Sequence, residues 1–294
     1  MFGILKPEYL YRPSQLLRRL TQGRLAGNVR VRLPWGKTIQ VSADDNVGQQ
    51  IATLGLYDLV VSETLWRLAE EGETAIDVGA NIGYTSFVLA ERLKNGKLIC
   101  FEPHPQVFQK LSDNIRALTE QGSKTEFDLH QQALGPQSDE LPLYVPKHFE
   151  THGGESSLAA PSHIEYDSNP IMVPVVTLDS QIQGQEIGVM KMDVEGFELD
   201  VLRGSTDSFD KKKIRDCVFE EHQPYPTPVA QWFESKGYQV YRMDRVLARP
   251  VLLPPDSPIP RTKWTPTNYL ATIDPARVVS RFQESGWSCL KNRR

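Results

Sequence analysis

Asp77-Val78-Gly79-Ala80-Asn81-Ile82-Gly83 decides how this chain folds. The apolar run Ala75-Ile76-Asp77-Val78 leads into it, and residues 84–94 continue from it with the spacing of a helix. A strand that ends in a glycine turn and feeds a helix is the first unit of an open α/β sheet. In such sheets ligands sit beyond the carboxyl ends of the strands, where the strand order reverses. Gly79 lets the backbone turn and a ligand come close, and Gly83 lets the helix pack near the sheet. Dinucleotide sites place a further glycine inside the turn, so that a pyrophosphate can rest on the helix N-terminus. Here Ala80-Asn81 stands in its place. Asp77, at the strand end, would repel a pyrophosphate and tolerate a cationic amino-acid group. An ordinary tight βα turn is the plain alternative, but the pattern favours S-adenosylmethionine, which carries an α-amino group and a sulfonium.

Working outward, the alternation repeats. Lys97–Glu102 is a second strand, residues 105–118 a second helix, and Phe127–Leu134 a third strand. Near-continuous apolar strands in this βαβαβ order predict a parallel sheet covered on both faces. The second strand ends Phe101-Glu102-Pro103. Glu102 follows the glycine loop by about 20 residues, the spacing at which an acid grips ribose hydroxyls. His104 reads as a turn residue. Further strands are expected at Val189–Asp193, Cys217–His222 and Tyr238–Tyr241, with a helix at 228–236. A last strand, antiparallel in one reading, is expected at Asn268–Ile273.

The flanks differ in character. Residues 1–25 read as a short basic amphipathic helix, with Leu16, Leu17 and Leu20 on one face and Arg18 and Arg19 off it. Residues 28–41 alternate around Pro34-Trp35-Gly36-Lys37 and predict a β-hairpin. Residues 58–71 have helical spacing. The expected division is an N-terminal extension over 1–55 and a doubly wound domain over 56–290. Residues 135–188 interrupt the βα rhythm. They read as a Pro-, Gly- and His-containing insertion with an exposed loop at Gly153–Ser157, placed to shape a substrate site. His148 and His152 have the spacing of a metal pair, but Pro146 and Gly153-Gly154 argue for loop histidines. Residues 250–266 are proline-rich and read as a surface excursion.

Composition narrows the function. The chain has 294 residues, 39% hydrophobic and 24% charged, with a net charge of −4. No global field favours nucleic acid or an anionic membrane surface. No stretch has the apolar length of a membrane span, and the N-terminus lacks the core and cleavage site of a signal peptide. Cys100, Cys217 and Cys289 match no zinc spacing and read as buried thiols. The expectation is a cytoplasmic protein with a small-molecule partner and no integral membrane segment.

These blocks resemble the FkbM-type methyltransferase family. The likeness rests on Asp77–Gly83, Phe101-Glu102-Pro103, Ala133-Leu134-Gly135 and Val176-Thr177-Leu178-Asp179. Its most specific block is Lys191-Met192-Asp193-Val194-Glu195-Gly196-Phe197-Glu198, and it covers about residues 55–222. The resemblance implies a class I methyltransferase fold, Rossmann-like with a mostly parallel sheet. It implies S-adenosylmethionine as donor and, typically, O-methylation of a sugar or other small-molecule hydroxyl. The cofactor would be held by Asp77, Gly79, Asn81, Gly83, Glu102 and Ala133.

Two strand ends are candidates for the acceptor side. Alternation puts Lys191 and Asp193 on one face, with Glu195 to follow. Charges so near a buried strand need partners, so a structural Lys191–Asp193 ion pair competes with a catalytic role, and Glu198 can serve as a helix-start carboxylate. At the second end, Glu221 shares a face with Phe219, and Glu220 shares the other with His222. The catalytic candidates are Asp193, His222, Glu221 and Lys191. Methyl transfer to a hydroxyl needs in-line positioning and loss of a proton, to a base or after metal activation. His222, Asp193 or Glu221 could be the base, and Asp193 with Glu221 could instead hold Mg²⁺. Two other functions compete. A nicotinamide-dependent oxidoreductase would need the absent glycine, and a cofactor-binding scaffold without turnover would need no base.

Overall fold

The computed structural model describes residues 7–13, 15, 25–147, 156–159, 169–258 and 267–291. Thirteen strands are present among them. β1 (Asn28–Arg32) and β2 (Thr38–Ser42) form the expected antiparallel hairpin. β3 (Thr74–Val78), β4 (Lys97–Phe101) and β5 (Glu126–His130) belong to the central sheet. β6 (Ala133–Leu134), β7 (Asp139–Leu143) and β8 (Ile171–Val176) make a separate small sheet, in the order β6-β8-β7. β9 (Ile187–Met192), β10 (Ile214–Glu221), β11 (Gln239–Val246), β12 (Arg249–Leu253) and β13 (Thr267–Thr272) complete the central sheet.

The central order is β12-β11-β13-β10-β9-β3-β4-β5. From β5 to β10 the strands are parallel. β13 enters antiparallel between β10 and β11. β3, β4 and β5 extend one way and β9 and β10 the other, so the order reverses between β3 and β9. That is the crevice at which an open α/β sheet binds its ligand. The α/β class and mostly parallel sheet agree with the sequence reading.

Strand alternation sorts the core into two layers. Ala75, Leu98, Val189, Val218 and Leu270 face one side, with the helices Tyr84–Leu93 and Leu59–Leu68 and the β1–β2 hairpin. Ile76, Ile99, Met190, Cys217 and Phe219 face the other, with the helices Glu198–Arg203 and Pro228–Ser235. The hairpin does not stand apart from the domain. Its Trp35 ring lies 5.5 Å from that of Trp66 and 6.4 Å from that of Tyr84. A helix over Asn46–Leu54, capped by Asp45 and closed by a left-handed Gly55, connects the hairpin to the rest.

Three readings change. The third strand is two: β5 stays in the main sheet, while Ala133-Leu134 leaves it to pair with β8. The insertion is not all loop, because β7 and β8 pair antiparallel within it. The start of the stretch 250–266, read as an excursion, belongs instead to the edge strand Arg249–Leu253. Its Pro250 sits where an edge tolerates a residue without an N–H. Of the N-terminal helix only Pro7–Tyr11 is described, and Leu16, Leu17, Leu20, His148 and His152 lie outside the described residues. All three cysteines are buried and free.

Candidate active site

The turn after β3 is closed by its own backbone. Gly79 and Ala80 both donate N–H to the Phe101 carbonyl at 3.0 Å. Asn81 N–H donates to Glu102 Oε2 at 3.0 Å, and Ile82 N–H to the Asn81 side chain at 2.8 Å. Gly83 N–H donates to the Ala80 carbonyl at 2.9 Å. Five successive N–H groups therefore have protein acceptors, and none is left for the anionic cradle that a pyrophosphate requires. The two glycines answer to packing. A Cβ on Gly79 would lie 1.9 Å from the Asp193 carbonyl oxygen, and one on Gly83 would lie 2.8 Å from Leu111 Cδ1. Both residues also have positive φ.

A cavity of about 540 Å³ opens beside this turn, at the carboxyl edge of the sheet. Gly79, Asn81, Glu102 and Ala133 line it. Glu102 is 7% exposed. Its Oε1 accepts the His104 N–H at 2.9 Å, so each carboxylate oxygen holds one backbone donor and keeps a second lone pair for a ligand. Burial pushes the Glu102 carboxyl up to about 7, against the two N–H groups. His104 caps the helix Pro105–Glu120 through Nδ1. Asn46 and Val47 line the same wall, although no sequence signal placed the β2 connection there.

Two of the proposed cofactor residues sit elsewhere. Asp77 does not line the cavity and is fully buried. It shares the face of Ala75, so it points under the turn, where its Oδ2 accepts from the Thr85 hydroxyl at 2.7 Å and the Ser86 hydroxyl at 2.6 Å. From there it holds the start of the following helix. Gly83 likewise serves helix packing and is not among the lining residues.

The far end of the cavity is charged. Lys191 is paired across the sheet with Asp77. Its Nζ donates to the Gly79 carbonyl at 2.8 Å, and lies 3.6 Å from Asp77 and 3.5 Å from Asp193. Burial works against the ammonium, but Asp193 and Asp77 outweigh it and hold it above the usual lysine value. Lys191 therefore stays protonated. It ties the β3 and β9 ends together and cannot take a proton. Asp193 donates its N–H to Val78 O and keeps a third of its side chain exposed, at 34%.

Glu220 lines this end and Glu221 does not. β10 alternates, so Glu220 shares the face of Val218 while Glu221 turns outward and accepts the N–H groups of His222 and Gln223. Burial, then the charges of Asp193 and Glu195, push the Glu220 carboxyl up to about 10. Glu195 approaches His222 Nε2 at 3.6 Å, and this contact raises the imidazole above its ordinary value against partial burial. Asp193 and Glu221, the pair set out as metal ligands, do not converge, because Asp193 faces Lys191 and Glu221 lies outside the cavity.

Three further elements complete the wall. Tyr57 and Asn268 line it from opposite ends of the chain. Asn268 is opposite Glu220 in register and also bonds Asp58. Ser156 and Leu158, from the insertion, also face in. Ser157 between them is 1% exposed and donates its hydroxyl to the Glu195 carbonyl at 2.6 Å. Glu195 takes a left-handed φ of 52° there. Glu198 accepts the N–H groups of Val194 and Gly196, and burial pushes it up to about 7.

Residues 77–240, more than half of the chain, match the family model described as the methyltransferase FkbM domain. The chain belongs to the FkbM methyltransferase family. The match begins at the buried Asp77, near the end of β3, and ends inside β11. Among its relatives is hexuronic acid methyltransferase AglP of Haloferax volcanii, 26% identical over 165 residues, or 55% of this chain and 61% of that protein. Methyltransferase 1 of Beauveria bassiana is 25% identical over 202 residues, covering 62% of this chain and 76% of that protein. A solved structure, methyltransferase FkbM from Methylobacillus flagellatus KT, is 17% identical with a TM-score of 0.44, over 68% of this chain and 43% of that one. The chain thus spans about three fifths of AglP. Among the described residues no helix is long and apolar enough to cross a membrane.

Proposed function

We propose that this FkbM methyltransferase uses S-adenosylmethionine to methylate a hydroxyl on a sugar or another small metabolite. One observation carries the reading. One cavity at the strand-order reversal joins a ribose-competent acid, Glu102, to an acid-lined end at Asp193 and Glu220. The consumed N–H groups of residues 79–83 disfavour a dinucleotide, and Glu102 retains lone pairs for two hydroxyl donors. The name of AglP, a hexuronic acid methyltransferase, fits a sugar acceptor at low identity.

When bound, S-adenosylmethionine supplies a methyl carbon on a sulfonium that departs as a neutral thioether. The protein's part is orientation and proton management. Glu102 fixes the ribose, and the Gly79–Ile82 turn sets the depth of the donor in the cavity. Asp193 holds the acceptor hydroxyl in line and accepts its proton as the new carbon–oxygen bond forms. Lys191 keeps the Asp193 carboxylate in place. Glu220, His222 and Asn268 position the acceptor.

Calorimetry with S-adenosylmethionine and NAD tests the donor, and a methyl-transfer screen over hydroxylated sugars and metabolites, with and without chelator, tests the acceptor. Tight NAD binding without S-adenosylmethionine binding would overturn the reading.

A further inference from the structure

The acceptor end holds more donors for a cation than the transfer of one proton needs. Glu195, Glu220 and His222 each offer one atom there, and the three atoms lie within 4.8 Å of one another. Two ligands of one ion, each about 2.1 Å from it, stand about 3 Å apart when adjacent and about 4.2 Å apart when opposite. The Glu195–His222 separation of 3.6 Å already lies in that window. The donors come from two chain segments, the ends of neighbouring parallel strands β9 and β10, and all three line the cavity. The imidazole distinguishes the set from a solvated acidic patch, and the cavity leaves one side of it open.

The surrounding charges point the same way. Among the described residues lining the cavity, Lys191 and Lys110 are the two lysines or arginines. Lys191 is committed to Asp77 and Asp193, and Lys110 acts on Asp45, on the N-terminal wall.

We propose that Glu195, Glu220 and His222 bind one divalent cation, of the Mn²⁺ or Mg²⁺ kind, at the acceptor end of the cavity. Two carboxylates and an imidazole leave half of an octahedral shell for water or substrate oxygens. A bound acceptor hydroxyl would be acidified there and pass its proton to Asp193. That role rests on the acceptor reading above. The binding itself does not.

Mn²⁺ is the probe. The full chain is titrated with Mn²⁺ and free ion is followed by electron paramagnetic resonance. The expected result is one ion per chain, with Glu220→Gln and His222→Ala each weakening it at least about tenfold. Glu186→Gln, exposed at the opposite end of β9, should leave it unchanged. S-adenosylmethionine calorimetry on each variant shows whether the domain and donor end are intact. Pulsed measurements on the unaltered protein should show ¹⁴N coupling from His222, which needs no variant. No binding at millimolar Mn²⁺, binding without ¹⁴N coupling, or binding that survives both substitutions overturns the proposal. Mn²⁺ failure with S-adenosylmethionine bound strikes this inference alone, and the reverse strikes the donor assignment alone.

Discussion

Around Glu102 the polar groups of the cavity are matched to one another, whereas around Glu220 they are crowded. At the first end every turn N–H has an acceptor, and the one acid is held by two backbone donors. At the second, Asp193, Glu195 and Glu220 meet one buried lysine and one half-exposed histidine. The difference teaches which end is preformed. A donor common to many methyltransferases can be met by a rigid, fully bonded turn. An acceptor that loses a proton needs a carboxylate kept close to the chemistry; Lys191 pairs with Asp193 there, and the crowding is eased because burial and its acidic neighbours push the Glu220 carboxyl up to about 10.

If that contrast is right, substitutions at the two ends separate turnover from binding. The largest effect belongs to the crowded end. Asp193→Asn keeps the shape but cannot accept the proton, so kcat on the true acceptor should fall by about 10²–10⁴. The S-adenosylmethionine Kd by calorimetry should stay within a few-fold. Full activity in this variant would remove Asp193 from the mechanism.

Asp77 sharpens the contrast from beneath the turn. Asp77→Ala strips a buried partner from Lys191 and from two hydroxyls, which should cost about 3–5 kcal/mol of stability. Chemical denaturation reads that cost directly. At temperatures where the variant remains folded, its donor affinity should change less than that of Glu102→Ala. Glu102→Ala in turn should leave the fold intact and weaken S-adenosylmethionine by about 1.5–3 kcal/mol, or roughly ten- to a hundredfold in Kd. Equal melting and affinity losses in both variants would erase the distinction.

The contrast also marks what was legible in the sequence. The crevice was, because apolar runs such as Leu98-Ile99-Cys100-Phe101 alternate with helices, and the glycine turn has a spacing of its own. The depth of a side chain was not. Asp77 and Glu102 share a strand face, since Asp77 is opposite Cys100 in register, yet Asp77 lies inside β3 under the turn and Glu102 lies just past the end of β4 in the cavity. Glu220 and Glu221 differ by one position, and only the register with Asn268 and Lys191 decides which faces inward. Tyr57 and Asn268 carried no signal: Tyr57 lies in the turn before the helix Leu59–Leu68, and Asn268 meets the site only because β13 inserts antiparallel beside β10. Arg249–Leu253 was hidden by Pro250, which an edge strand tolerates, and by the prolines that follow it.

The smallest expected effect is on pH, and it probes the matched end alone. In the free protein burial lifts Glu102 to about 7 from 4.5. A group raised on folding favours the folded state below its unfolded value, and that contribution is lost as pH rises through about 7. Ionised Glu102 is therefore a strained form of the free protein, and in the proposed function it is the form that would accept ribose hydroxyls. Binding must release a proton when the pH is below 7 and none when it is well above. S-adenosylmethionine affinity should accordingly rise about tenfold from pH 6 to pH 8, the change in the ionised fraction of a group titrating near 7. Glu102→Gln has no proton to release, so its weaker affinity should be flat over the same range. Lys191 stays charged throughout, and the donor's sulfonium does not titrate. A slope that persists in Glu102→Gln would mean that a group other than Glu102, at the crowded end or the donor's own α-amino group, exchanges the proton.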